Sequence, residues 1–248
     1  MHRFYLPPDQ CGDSALWLSG PEAHHAVRVL RIRPGETVTV LDGAGRQLLC
    51  KVEQSLRDRV LLSLIETRTV APPAGKITLL QAIPKGKIIE SVIQKATELG
   101  AFRIVPLLSE RAVVHLEPAE AARKAAKWQG VAIEAIKQSG AAWLPKVESA
   151  VTPEQFLARN EKFELPLFAS LQGDSRHPRV FFDAFREREK RQPCSLCIWV
   201  GPEGDFSPAE SESIKTHGGL PVTLGTLVLR VETAATYCLS IINYELSV

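Results

Sequence analysis

A chain of 248 residues with 45% apolar and 23% charged side chains has ordinary globular usage, enough for one large or two average domains, and this excludes extended disorder. No run approaches the roughly eighteen continuous apolar residues of a membrane span, and Met1–Gln10 lacks the charged start and apolar core of a secretion signal, so a soluble, cytoplasmic protein is expected. A formal charge of +2 is too small to announce a polyanion partner by itself, and five scattered cysteines, an odd number, argue against a disulfide framework.

Residues 1–70 read as a small β-rich unit with one helix. Pro21 opens "PEAHHAVRVLR", where Ala23, Ala26, Val27 and Leu30 recur at helical spacing and leave Arg28 and Arg31 on the solvent face. In "RPGETVTVLDGAGRQLLCKV" Pro34-Gly35 marks a turn, Val38 and Val40 alternate with threonines, and Asp42-Gly43 is a hairpin signal. "RVLLSLIET" supplies a further strand, and short strands joined by tight turns predict a small barrel. The clearest positive cluster of the chain, Arg28, Arg31 and Arg33, lies in this part.

"RTVAPPAGK", residues 68–76, interrupts the pattern and reads as a linker. From residue 75 onward strands alternate with helices. "ITLLQAI" is a buried strand, and "KGKIIESVIQKATELG" carries Ile89, Val92, Ile93, Ala96 and Leu99 on one face with Gly100 as its stop. "RIVPLL" follows as a strand, residues 118–138 as a long helix, and Thr152-Pro153 with Gln155 as a capping box. "LPLFASL", "LCIWV" and "LPVTLG" are further strands, and "ETAATYCLSIINYEL" closes the chain as an amphipathic helix. The alternation predicts a mostly parallel sheet with helices on both faces.

Two junctions carry the chemistry. In "WVGPEGDFSPAE" a strand ends in Gly201-Pro202-Glu203-Gly204, and a helix restarts with Ser207 as cap, Pro208 at its first position and Glu210 at its third. Such a loop serves equally as a tight connection or as a ligand cradle. The spacings that bind phosphate are absent and Glu203 repels phosphate, so a ligand of positive or mixed charge suits it better. In "LGTLVLRVETAATY" Arg230 and Glu232 stand where a strand gives way to a helix capped by Thr233, and burying them there is costly unless they are paired or used.

"LLQAIPKG", "QKATELGA", "LLSERAVV", "IWVGPEGDFSPAE" and "LGTLVLRVETAAT", in that order, together resemble the ribosomal RNA small-subunit methyltransferases that modify a uridine at N3, a family of the knotted SPOUT superfamily. "RFYLP" and "HHAVRVLRIRPGE" are similar to that family's N-terminal PUA-like RNA-binding unit, so the likeness covers essentially the whole chain. It implies a PUA-like barrel over residues 1–70 and a parallel-sheet methyltransferase domain over 75–248 with a C-terminal trefoil knot. It also implies homodimers and 16S ribosomal RNA of the small subunit as substrate.

S-adenosylmethionine would lie against Leu171, Gly201, Pro202, Glu203, Gly204, Leu224, Gly225, Val228, Leu229, Arg230 and Thr233. RNA would be gripped by Arg3, His25, Arg28, Arg31, Lys85 and Arg111. Uracil N3 carries a proton and is a poor nucleophile until that proton leaves, so Glu232 is the candidate base and Arg230 the candidate stabiliser of the resulting anion. A pairing of the two with each other that only shapes the chain path is the alternative. The target base must be exposed or flipped.

The chain departs from the family at Thr226 and Leu227, at Asp205 where glycine is common, and at Ala141 where arginine often stands. These departures bear on the RNA grip and the exact target, and a non-catalytic RNA-binding protein, or a methyltransferase acting on another RNA position, is the competing expectation. No metal is expected: Cys194 and Cys197 run into a strand without further ligands, and the adjacent His24 and His25 point apart.

Overall fold

The computed structural model describes residues 1–248 except Asp13, residues 113–115 and Val248, with Pro118 described by its backbone alone. The end of the "LLSERAVV" motif therefore lies outside the described residues. The chain divides into two compact units, residues 1–72 with 133–144, and residues 73–132 with 145–248. The segment 133–144 thus belongs with the first unit, although the division read from the linker at 68–76 leaves it in the second.

In the first unit β1 (His2–Tyr5), β2 (Ala15–Ser19), β3 (Thr37–Leu41), β4 (Arg46–Ser55) and β5 (Arg59–Thr69) form one sheet in the order β1-β3-β4-β5-β2. All neighbours are antiparallel except β1 and β3. Alternation sorts the side chains: Leu16 and Leu18 of β2 point inward, with Val38 and Val40 of β3, onto a core shared with Phe4, Val60 and Leu62. No ladder joins β1 to β2 among the described residues, so the sheet wraps this core without the hydrogen-bonded closure of a full barrel. Register shifts in the β4–β5 ladder supply bends of the kind such wrapping requires.

The helix expected at 21–31 is α1 (Gly20–His24), continued as a π-helical segment, His25–Leu30. Arg31 stops it in a left-handed conformation, φ 53°, its N–H donating to the Ala26 carbonyl. Lys137 is buried and bonds Glu22 at 2.8 Å and Glu134 at 2.9 Å. Burial alone would push this ammonium down, but the two carboxylates outweigh it and hold its pKa above the usual lysine value.

In the second unit β6 (Lys76–Ala82), β7 (Arg103–Leu107), β8 (Lys146–Val147), β9 (Leu165–Ala169), β10 (Ser195–Val200) and β11 (Leu220–Val222) form a sheet ordered β11-β9-β10-β6-β7-β8. Every pairing is parallel. The two central strands, β6 and β10, are buried almost end to end, which is why they read as unbroken apolar runs.

The helices are α2 (Ile88–Glu98), α3 (Pro118–Ser139), α4 (Pro153–Leu157), α5 (Pro178–Glu189), α6 (Pro208–Thr216) and α7 (Val231–Ser247). Thr152 with Gln155 and Ser207 with Glu210 both form reciprocal capping boxes. Helix α2 begins at Ile88, just ahead of the apolar face read from Ile89, and follows Gly86, which is in a left-handed turn, φ 69°. No helix among the described residues is long and apolar enough to cross a membrane.

Helix α7 buries Val231, Ala235, Cys238, Leu239, Ile242 and Glu245 along one stripe and packs on α2, α5 and β10. Glu245 is the unusual member. Its side chain is 4% exposed and accepts from Arg186 Nη2 at 2.9 Å, with Arg179 Nε at 3.8 Å. Arg186→Met leaves that carboxylate with only the more distant Arg179 and is expected to lower stability by about 2 kcal/mol, a fall of about 4–8 °C in melting temperature. The double change Arg186→Met with Glu245→Leu should recover most of the loss in calorimetry; equal losses for single and double variants would show that packing, not the stranded charge, is at stake.

Candidate functional site

The carboxyl ends of β9, β10 and β11 are adjacent in the sheet, the position where open parallel sheets form their ligand crevices. A cleft of about 560 Å³ opens there, walled by Ala169 to Leu171 after β9, Val200 to Glu203 and Asp205 after β10, and Leu224, Gly225 and Leu227 to Leu229 after β11. Val231 and Ala234 of α7 close it. Sequence separation gives no hint that these three loops touch.

The middle loop is held from both ends and both sides. Phe206, just beyond it, is buried with its ring 5.9 Å from Phe168 and 6.3 Å from Trp199. The Lys85 N–H donates to Glu203 Oε1 at 3.0 Å, and Arg111 Nη1 donates to the Gly204 carbonyl at 2.7 Å. Ser207 then fixes the start of α6. Beside it the loop after β11 turns at Gly225, φ 109°, whose N–H is accepted by Thr223 Oγ1 at 3.2 Å.

Of the residues expected to meet the cofactor, Leu171, Gly201, Pro202, Glu203, Leu224, Gly225, Val228 and Leu229 line this cleft. Gly204, Arg230 and Thr233 do not. Gly204 is tied up by Arg111. Helix α7 already begins at Val231, so Thr233 is its third residue rather than its cap. Arg230 lies with Glu232 in an adjoining cleft of about 730 Å³ that shares Glu203, Val228, Leu229 and Val231 with the first and adds Ile88. No ion pair joins Arg230 to Glu232 among the described residues; the Arg230 carbonyl instead accepts from Ala234 N–H and begins the helix. Arg230 is exposed and Glu232 half-buried, so neither is the sealed charge that their position at the junction predicts.

Residues that sequence reasoning did not select include Ser170, Asp205, Leu227 and Ala234. Asp205 directly follows Gly201-Pro202-Glu203-Gly204, and its signal in the sequence is the departure from glycine.

The lining chemistry defines what fits. Leu171, Leu227 and Val228 are 64%, 74% and 77% exposed, large apolar side chains at one mouth where they would flank a flat apolar group. Glu203 and Asp205 are the charged members, and no lysine or arginine lines the cleft among the described residues, so a phosphate is disfavoured and a cation welcome. Gly201 forms the floor: a Cβ there would come within 2.9 Å of Asp205 Oδ1 and 3.1 Å of Phe206 N. An adenosyl group on a sulfonium meets each of these conditions.

The residues expected to grip RNA are spread over both units. In the first, Arg3 Nη1 donates to the carbonyls of Lys137 and Gln138 at 3.1 and 2.8 Å and so caps the end of α3. His25 meets the Phe4 ring edge-on at 6.5 Å, and Arg28 and Arg31 are exposed. In the second, Lys85 and Arg111 are exposed and brace the Gly201–Gly204 loop. All five cysteines are free, and burial raises the Cys50 and Cys238 thiols to about 12, which leaves them protonated and unreactive. Among the described residues no cluster could hold a metal.

A family model described as an RNA methyltransferase domain matches residues 71–243, and one described as an RNA methyltransferase PUA domain matches 18–65. The protein called ribosomal RNA small subunit methyltransferase E in Bacillus subtilis (strain 168) is 32% identical over 229 residues, spanning 92% of this chain and 89% of its own. Lpg2936 from Legionella pneumophila, solved with the cofactor SAM bound, superposes with a TM-score of 0.88 at 32% identity, covering 98% of this chain and 96% of that one. A ribosomal RNA small subunit methyltransferase E from Neisseria gonorrhoeae bound to S-adenosyl methionine gives 0.86 at 28% identity, covering 98% and 97%.

Proposed function

The chain belongs to the RNA methyltransferase family, and from that premise we propose that it methylates N3 of a uridine in 16S ribosomal RNA, in the cytoplasm, with S-adenosylmethionine as donor. One observation carries the reading: three loops distant in sequence converge on a cleft with an apolar mouth, an acidic lining and, among the described residues, no cation. The donor, when bound, supplies a methyl group activated on sulfonium. Residues after β9, β10 and β11 would hold it, and Leu171, Leu227 and Val228 would shield it from water.

The adjoining cleft receives the base. N3–H must lose its proton to become nucleophilic; Glu232 takes that proton and Arg230 stabilises the negative charge that spreads to O2 and O4. Their lack of a mutual ion pair favours this over a purely architectural role. Positioning supplies much of the remaining catalysis, since the shared wall of the two clefts sets the approach of base to donor.

The first unit acts as the PUA-like RNA-binding domain, with Arg28 and Arg31 among its exposed cations. The chain acts as a homodimer in which Tyr237 and Tyr244, exposed two turns apart on α7, supply a contact face. After edge strand β11 the chain returns to pack α7 on central strand β10, a path that suits the trefoil knot of the SPOUT superfamily.

Mass spectrometry of small-subunit RNA from cells with and without the gene is the test. One uridine is expected to lack one methyl group in the deletion and regain it on complementation. An unchanged uridine inventory would refute the assignment, and a methyl missing from another RNA would redirect it.

A further inference from the structure

We propose that the Asp205 carboxylate is a charge selector in the donor cleft, favouring the cationic methyl donor over its neutral demethylated product. The proposal rests on the reading of this cleft as an S-adenosylmethionine site. Asp205 is one of four non-glycine residues at positive φ among the described residues, with φ 60°. Glycine adopts that conformation without the Cβ clash that an L side chain meets. Strain kept in a ligand cleft points to a use for the side chain that causes it.

The geometry says what the use is. Asp205 Oδ1 accepts the Phe206 N–H at 2.8 Å, and the same oxygen lies 2.9 Å from where a Cβ on Gly201 would stand. The carboxylate is therefore folded back over the glycine floor of the cleft, and Phe206, buried in the core, fixes it there. The other acid of the lining, Glu203, is already accepting the Lys85 N–H. Asp205 Oδ2 has no partner among the described residues, and no cation lines the cleft to neutralise it. It stands as a half-buried carboxylate in the wall of the cleft.

Donor and product share the adenosine, the α-ammonium and the α-carboxylate, and differ in charge only at sulfur: a sulfonium before transfer, a thioether after it. A carboxylate near that sulfur attracts the first and not the second, so it tightens donor binding and hastens product exchange.

Isothermal titration calorimetry of S-adenosylmethionine, S-adenosylhomocysteine and sinefungin, whose protonated amine replaces the methylsulfonium, tests this on the wild type, Asp205→Asn and Asp205→Gly. Asparagine tolerates the left-handed backbone and keeps an acceptor for Phe206 N–H while removing the charge. In both variants the donor and sinefungin are expected to weaken roughly tenfold while the product changes less than about twofold. Parallel weakening of donor and product, or no change in either, would overturn the selector, since the carboxylate would then meet the shared ammonium or nothing. Melting temperatures at or above the wild type are expected for Asp205→Gly; a marked fall in both variants would make Asp205 a structural tie and end the proposal. A wild type that binds none of the three compounds would remove the donor site itself, an outcome distinct from a selector that fails in a site that works.

Discussion

Replacing Gly201 with alanine is expected to weaken S-adenosylmethionine binding about 10- to 100-fold, the equivalent of about 1–3 kcal/mol of overpacking. Backbone conformation is not the obstacle, because Gly201 is not among the positive-φ glycines. Space is the obstacle. The added methyl would lie 2.9 Å from Asp205 Oδ1, 3.1 Å from Phe206 N and 3.2 Å from Asp205 Cα. Two of those three atoms are backbone and cannot rotate aside. They cannot slide either, since Phe206 is wedged against Phe168 and Trp199 and the next residue caps α6. The loop must then bow into the cleft. Gly204→Ala is the control from the same loop: its Cβ would find only the Arg111 side chain, at 3.7 Å, so binding near the wild-type value is expected. Calorimetry on both variants checks the contrast, and equal affinities for Gly201→Ala and the wild type would mean that the cofactor does not rest on this floor.

Arg230→Ala is expected to reduce kcat by about 10²–10³, and Glu232→Gln by about 10²–10⁴, with the dissociation constant of S-adenosylmethionine unchanged in both. The split follows from position. Neither residue lines the cleft proposed for the donor, and both line the adjoining one, so the proposed mechanism has them act on the base and not on the donor. Single-turnover methyl transfer to small-subunit RNA, paired with donor titrations, separates the two effects. Should donor affinity fall with kcat, Arg230 would be a cofactor ligand, as the family likeness implies, and the division of labour drawn between the clefts would be lost. Removing both groups should cost less than the product of the single losses, because a base and an anion stabiliser serve the same proton transfer.

Legibility in the sequence followed the range of the forces involved. The central strands β6 and β10 were readable because a strand buried on both faces must be apolar throughout, and the helices α4 and α6 because a capping box is written within four residues. Helix α5 carries its own local signals, Pro178 at its start and the spacing of Phe182 and Phe185. Strand β2 likewise shows its alternation in "ALWLS". Strand β8 could not be read: two residues carry no period, and only pairing with β7 makes them a strand. The π-helical turn at His25–Leu30 was equally out of reach, since its apolar spacing passes for an α-helix.

By itself the sequence determined the alternation of elements, the helix starts, the order of the family motifs and hence the class of chemistry, all of which depend on neighbours along the chain. Tertiary structure alone decided that Leu171, Gly201 and Leu224 share one cleft, that Arg230 and Glu232 stand in the next, and that Lys85 and Arg111 brace the loop between them. It also decided that Asp205 is held in a conformation that suits glycine. The reason is physical: strand order in a parallel sheet is set by crossover packing between segments far apart in the chain, and no local preference records which carboxyl ends will lie side by side.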